Sequence, residues 1–372
     1  MRFKAAVLHR TGGRFSIEDV TLQPLAPGDV LVRLHASGLC HTDLEVIEGS
    51  LPYPLPIVLG HEGAGVVERV GGAVTQVRPG EHVVCSWNPH CGHCFYCERG
   101  QPILCEPFTR HQPAGRLLDG GSRYRLDGDR MLHHFSVVSS HAQYCVVPES
   151  GAIGVPAEIP FDRACLIGCG VMTGVGAAVR LARIEAGSSV VVIGCGAVGL
   201  NVIQGARLQQ ADTIVAIDRD PARLALARAF GATHLIGPET PEPAAQVAAV
   251  KALTAGRGAD YAFECAGGEA PLQLMYEAMR TGGQAVILGK VAVDRKVSLR
   301  FGSMMGEKRT IRSSYGAARP RRDFPWLARM YLDGRLKLDE MITQRLPLEG
   351  IDEGFDAMRA GRTLRTVLEI AH

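Results

Sequence analysis

Hydrophobic and polar positions change rhythm once along the chain. Over roughly the first 150 residues, short apolar runs such as Asp29–Leu34 and Gly65–Val70 are separated by Pro and Gly turns. That spacing predicts a β-rich region with few long helices. From Ser188 onward, strand-like and helix-like segments alternate. Ser189–Ile193 is a continuous apolar run, as expected of a strand buried on both faces. A helix-compatible segment follows to about Gln209, then an apolar run Thr213–Ile217 and a helix-like Ala222–Phe230. Ala259–Glu264 and Gln284–Leu288 are further strand candidates. This rhythm predicts βαβ units in a doubly wound parallel sheet, an α/β fold. The last stretch leaves it, with a Pro- and Arg-rich loop at Ala318–Arg322, a helix-like Phe324–Leu332 and an apolar strand near Thr366–Ile370.

At 372 residues the chain exceeds one ordinary core and predicts about two domains. Lys and Arg number 40 against 38 Asp and Glu, a balance that gives no reason to expect nucleic acid or an anionic membrane as partner. The first ten residues alternate charged and apolar positions, without the apolar core of a signal peptide. No run of roughly 18 apolar residues is free of charge, so no membrane span is expected and a cytoplasmic location is the default.

Eleven cysteines change the picture. A disulfide framework is not expected without a secretory signal. Cys91, Cys94, Cys97 and Cys105 form C-x2-C-x2-C-x7-C in a stretch with Gly92 and Gly100 for its turns. Four thiolates at such spacing suit a structural zinc, which leaves no position for water. An iron–sulfur cluster uses the same four donors. A second set is dispersed: Cys40 and His61 lie in short polar stretches between apolar strands, and Cys169 in a glycine-rich stretch further on. Together they make a Cys2His set, the composition of a catalytic zinc that keeps one position open.

Gly194-Cys-Gly-Ala-Val-Gly199 is G-x-G-x-x-G, directly after the strand Ser189–Ile193 and opening a helical segment. In that context Gly194, Gly196, Val198 and Gly199 predict a backbone that approaches a pyrophosphate at a helix N-terminus. Asp218 ends the next strand, where a carboxylate accepts hydrogen bonds from ribose hydroxyls and repels a 2′-phosphate. NAD is therefore expected over NADP, with Arg219 beside it as the feature pulling the other way.

The stretches GLCHTD (Gly38–Asp43), GHEGAGVVERVG (Gly60–Gly71), the cysteine quartet, GCGVMTG (Gly168–Gly174) and the glycine fingerprint follow one another in an order that resembles the zinc-containing alcohol dehydrogenases of the medium-chain dehydrogenase/reductase superfamily. The resemblance covers essentially the whole chain. It implies a split, partly β-barrel (GroES-like) catalytic domain at residues 1–170 and 313–372, and a Rossmann domain at 171–312, with the active site in the cleft between them. Two zinc ions per subunit are implied. Cys40, His61 and Cys169 would hold the catalytic one, Asp43 would stand behind it, Glu62 would approach it during ligand exchange, and Thr42 would take the substrate's hydroxyl proton. The family's relay often continues to a histidine three residues beyond that hydroxyl. Here Glu45 occupies the position, and either it or solvent ends the relay. By the same resemblance Arg223 flanks the adenosine ribose, His41 and Arg365 reach the pyrophosphate, and Thr173 lies beside the nicotinamide.

The implied reaction is reversible oxidation of a primary aliphatic or benzylic alcohol to an aldehyde, with Trp87, Phe135 and Leu104 around an apolar pocket. Glutathione-dependent formaldehyde dehydrogenases are the alternative. They carry an acid and an Arg for the glutathione carboxylates where this chain has Leu51 and Thr109. A non-enzymatic zinc-binding protein, or a zinc ribbon that binds nucleic acid, is the reading of another class. The near-zero charge and the presence of every catalytic ligand argue against it. A homodimer or homotetramer is expected, as symmetric assemblies are the default for such enzymes.

Overall fold

The computed structural model describes residues 1–291 and 294–372. They divide into two compact units, Met1–Cys169 with Arg319–His372, and Gly170–Ala318.

The first unit is β-rich. Five strands close into a barrel, in the order Arg2–Leu8, Phe15–Leu22, Tyr124–Arg125, Met131–His134 and Ile57–Val58. Beside it lies a seven-stranded sheet whose long central strand is Asp29–Gly38. That strand pairs antiparallel with Glu62–Val70, setting Gly38 opposite Glu62, and with Arg365–Glu369, setting Val367 opposite Gly38. Three strand ends distant in sequence therefore meet at Gly38. Cys40, His61 with Glu62, and Arg365 are delivered to one place by sheet register alone.

A continuous helical run, Phe161–Ala182, carries Cys169. It is long and apolar enough to cross a membrane, unlike any stretch expected from the sequence, but 72% of its most apolar window is buried inside the fold. Such burial marks a core helix. Asp162, Arg163 and Arg180 interrupt it in sequence, which hides it from a search for uncharged runs. It widens into π-helical turns at Ile167–Val171 and Ala177–Ala182, a distortion frequent at functional sites. Its glycines allow close packing: a Cβ on Gly168 would come 2.9 Å from the Cys85 carbonyl oxygen. The Pro- and Arg-rich stretch expected as a loop is in fact helical from Pro320. The helix Pro320–Leu332 starts on that proline, whose missing N–H costs nothing in a first turn.

The second unit holds a six-stranded, all-parallel sheet in the order His234–Ile236, Thr213–Ile217, Ser189–Ile193, Ala259–Glu264, Met279–Ile287 and Arg309–Arg312. Val190, Val191 and Val192 have no exposed surface, as the uninterrupted apolar run requires. Helices Ala197–Leu208 and Pro221–Phe230 follow the first two strands of the fingerprint region. The fold is thus the expected partly barrel-shaped, GroES-like unit together with a Rossmann-type doubly wound sheet.

Candidate metal centres and dinucleotide site

Cys40 is the N-cap of the helix His41–Glu48, and Asp43 in the first turn turns back to accept a hydrogen bond from the Cys40 N–H at 3.2 Å. This capping arrangement fixes the thiol at the strand end. His61 follows Gly60, whose backbone lies in the left-handed region at φ +92° and lets the chain turn sharply before the strand Glu62–Val70. Cys169 arrives from the helical run. Donor atoms of Cys40, His61, Glu62 and Cys169 all lie within 4.8 Å of one another. The second group, Cys91, Cys94, Cys97 and Cys105, meets the same limit.

The electrostatics of the first group are those of metal donors crowded together. A hydrogen bond from the Cys169 thiol, with the charges of His61 and Arg365, holds Cys40 well below the usual thiol range despite burial. Sharing that proton, and burial, push Cys169 well above it. Burial alone would lower His61, yet Asp43 and Cys40 keep it well above the usual imidazole range. Two thiols sharing one proton beside a carboxylate-backed imidazole fit a divalent soft cation, which would displace those protons. Asp43 has no exposed surface and lies 3.3 Å from His61 Nδ1, which leaves Nε2 for a metal. Thr42 stands beside this set, its Oγ1 3.8 Å from Cys40 Sγ.

Glu62 is fully buried and pairs with the buried guanidinium of Arg365. Burial pushes the Glu62 carboxyl up to about 7, against the pull of Arg365. Arg365, expected at a pyrophosphate, spends one Nη on this pair. Glu45 is half-buried on the helix His41–Glu48, and His41 is exposed at its start. Of the side chains expected in a pocket wall, Phe135 is fully buried with its ring edge-on to His61 at 5.5 Å and to Tyr53 at 5.0 Å. Trp87 packs against the apolar clusters of the barrel and the sheet, and Leu104 is exposed.

In the quartet, backbone N–H groups point at sulfur. Cys91 N donates to Cys105 Sγ at 3.3 Å, and Glu106 N to Cys94 Sγ at 3.5 Å. The Glu106 N–H holds the Cys94 thiol down at about 6. Such N–H···S bonds stabilise thiolates, so this group also fits a zinc ion.

The fingerprint lies wholly in the second unit. Gly194 has φ +92°, and a Cβ there would come 2.8 Å from Ala266 N. A Cβ on Gly199 would come 1.9 Å from the Gly194 carbonyl oxygen, whereas one on Gly196 would meet nothing within 4 Å. The first and third glycines are thus demanded by conformation and close packing. The second leaves open space over the N-terminus of the helix Ala197–Leu208, where Val198 is half-buried. This cradle fits a pyrophosphate. Asp218 accepts from Cys195 N at 2.6 Å and Asp220 N at 2.9 Å, so its carboxylate also holds the fingerprint loop. Arg223, expected at the ribose, lies 3.5 Å from Asp220 on its own helix. Thr173 is half-buried in the helical run.

The Glu62–Arg365 pair, its members 303 positions apart, had no local sequence signal. Neither did the fully buried His141, 3.8 Å from Asp43, although the polar stretch Ser139–His141 between apolar runs was the sign to follow.

Residues 26–157 match the family described as the alcohol dehydrogenase GroES-like domain, and residues 197–333 that described as zinc-binding dehydrogenase. A curated S-(hydroxymethyl)glutathione dehydrogenase of Paracoccus denitrificans is 38% identical, covering 99% of this chain and 100% of that protein. An alcohol dehydrogenase class-3 of Cereibacter sphaeroides is 38% identical over the same shares. Among solved structures, a benzyl alcohol dehydrogenase from Acinetobacter calcoaceticus is 31% identical with a TM-score of 0.93, covering 100% of both chains. An alcohol dehydrogenase zinc-binding domain protein from Burkholderia ambifaria is 37% identical with a TM-score of 0.95, again over 100% of both. With relatives matched from end to end, the chain belongs to the zinc-dependent alcohol dehydrogenases of the medium-chain dehydrogenase/reductase superfamily, NAD-linked oxidoreductases.

Proposed function

We propose that this enzyme oxidises a primary carbinol reversibly to an aldehyde, passing a hydride to NAD. The observation that carries this reading is the Cys40, His61 and Cys169 donor set with the Thr42 hydroxyl beside it. A zinc ion held by these three residues supplies the positive charge that lowers the pKa of a carbinol oxygen toward neutrality. Thr42 Oγ1 accepts the carbinol proton, and Glu45, one helical turn on, is the base that can receive it. Asp43 fixes the ring of His61 through Nδ1. Phe135, fully buried against that ring, keeps water from the imidazole. Asp218 selects NAD by accepting the ribose hydroxyls. Cys91, Cys94, Cys97 and Cys105 hold the second, structural zinc.

Two substrate readings divide on particular observations. The curated relatives' names favour S-(hydroxymethyl)glutathione, a hemithioacetal whose CH2OH loses the same hydride and proton to give a thioester instead of an aldehyde, over a free aliphatic or benzylic alcohol. Against it, Leu51 is apolar and packs on the barrel-side core, and Thr109 spends its hydroxyl on the Cys105 carbonyl oxygen at 3.0 Å. Neither offers charge to a glutathione carboxylate. Purified enzyme with NAD should be given benzyl alcohol, aliphatic primary alcohols, and formaldehyde with and without glutathione. NADH formed from simple alcohols supports the free-alcohol reading. NADH formed only when formaldehyde and glutathione are combined supports the other, and turnover of neither sinks both.

A further inference from the structure

The carboxylate of Asp43 is a shared object. It has no exposed surface and meets no Lys or Arg among the described residues. N–H groups surround it instead: Gly60 N at 2.9 Å, Cys40 N at 3.2 Å and His61 Nδ1 at 3.3 Å. On the remaining side stands His141, also without exposed surface, its Nε2 at 3.8 Å from Asp43 Oδ1. That nitrogen is buried and has no hydrogen-bond partner among the described residues. The other ring nitrogen, Nδ1, lies 3.0 Å from Ser37 Oγ, which in turn lies 2.7 Å from Ser140 Oγ.

The serine contacts accept either tautomer, and the Asp43 carboxylate facing Nε2 favours the one with the proton there. Ser140 then donates to Ser37 and Ser37 to His141 Nδ1, and the imidazole proton sits on Nε2, aimed at Asp43. The backbone is shaped to bring the ring there. Ser136, Val137 and Ser139 all adopt left-handed conformations (φ 49°, 59° and 60°) in a buried turn leading to His141. For a β-branched valine this is costly, and such strain persists where the surroundings over-determine it. Gly60 makes room: a Cβ there would come 2.6 Å from both His141 N and Nδ1.

We infer that His141 is a positioning residue for the metal ligand His61, acting through the Asp43 carboxylate that the two imidazoles share. The inference rests on the reading of Cys40, His61 and Cys169 as a zinc site. His141 never touches the metal or the substrate. It turns its Nε2–H toward a buried carboxylate that has no Lys or Arg beside it among the described residues, and so keeps that carboxylate oriented on His61 Nδ1. Partners of this kind typically change metal affinity about 10–100-fold when removed, and one step further out the lower end applies.

The test uses the zinc-loaded full chain. Zinc content is measured first, then release to a chromogenic chelator is followed in time beside the absorption bands of cobalt-substituted enzyme. Wild type should hold two zinc ions and release them in two phases. His141→Phe keeps a ring of similar shape but no N–H, and should speed one phase about tenfold and shift the cobalt bands, leaving the other phase unchanged. His141→Gln restores a donor, and should return the rate to within about twofold of wild type. Ser37→Ala unlocks the tautomer with the ring in place, and should move the same phase in the same direction if the Phe variant does not fold. Wild-type release and bands in His141→Phe, or in Ser37→Ala where that variant stands in for it, overturn the inference. A Gln variant no better than the Phe variant would mean that His141 acts by packing alone, and overturns it too. A wild type holding a single zinc ion would instead overturn the site reading on which the inference rests.

Discussion

The buried Glu62–Arg365 pair should break unequally, depending on which partner is removed. Glu62→Gln leaves a guanidinium with only a few per cent of its surface exposed. Arg cannot discard its proton, so the full penalty of an unpaired buried charge applies, about 3–5 kcal/mol. Arg365→Met leaves a carboxyl that can neutralise itself. Burial already pushes Glu62 up from 4.5 to about 7 with Arg365 present, and without it the folded protein holds the proton firmly at neutral pH. The cost is then that of protonating an ordinary carboxyl: at pH 7, about 3 kcal/mol at 1.36 kcal/mol per pH unit. The folded-state pKa is raised, so this cost shrinks as pH falls toward 4.5, to about 1.4 kcal/mol at pH 5.5. For a unit of roughly 150–250 residues, 1 kcal/mol moves the melting temperature by about 2–4 °C. Calorimetry on the zinc-loaded enzyme should therefore show Glu62→Gln lowered by about 6–20 °C at both pH values. Arg365→Met should be lowered by about 6–12 °C at pH 7 and about half that or less at pH 5.5. A double variant should recover part of the loss, because neither charge remains. If Arg365→Met is as damaging at pH 5.5 as at pH 7, the pair is not governed by the burial of the carboxylate, and the reasoning fails.

Other outcomes follow from the same geometry. Cys94→Ala removes the quartet thiol that Glu106 N–H stabilises, and should lower thermal stability and expose reactive thiols, with the Michaelis constant for alcohol little changed in the zinc-loaded remainder. Unchanged stability with lost turnover would refute that. Asp218→Ser should raise efficiency with NADP relative to NAD by about tenfold or more, since a like-charge contact costs several kcal/mol. It should also weaken NAD binding itself, because the Cys195 and Asp220 N–H groups lose their acceptor; an unchanged cofactor ratio in steady-state kinetics would point to another residue. His134 accepts the Arg123 N–H on Nε2, and burial pushes its pKa down to about 3. The unfolded chain takes up this proton below about pH 6.5 and the fold does not, so stability falls as pH drops from there. His134→Gln should flatten the unfolding free energy against pH between 6.5 and 4 by up to about 1.4 kcal/mol per pH unit, and an unaltered slope would exclude His134 as the source.

Much of this was legible before any coordinates. Thr213–Ile217 and Ala259–Glu264 are strands with the bounds read from the sequence, the first because an apolar run covered on both faces leaves no other pattern. The quartet and the fingerprint were readable because each closes within a few residues. Long-range pairings were not. Arg365 opposite Glu62, and His141 opposite Asp43, depend on sheet register and on a strained turn, neither of which leaves a periodic trace. Ala318–Arg322 shows another limit: proline and arginine suggested a loop, but proline is well suited to the first turn of a helix.

The strand Arg365–Glu369 has a consequence in time. On the ribosome, Cys40, His61 and Cys169 emerge well before Arg365, and at about 5–20 residues per second the wait is on the order of 10 s or longer. During that interval the central strand Asp29–Gly38 lacks its last neighbour, and the Glu62 carboxylate has no guanidinium to meet. A nascent chain can therefore present three metal-binding side chains before it can bury the acid among them. The final strand acts as the closing stitch of the donor cluster, and a chain truncated before it should leave that cluster open to water and to the wrong ions.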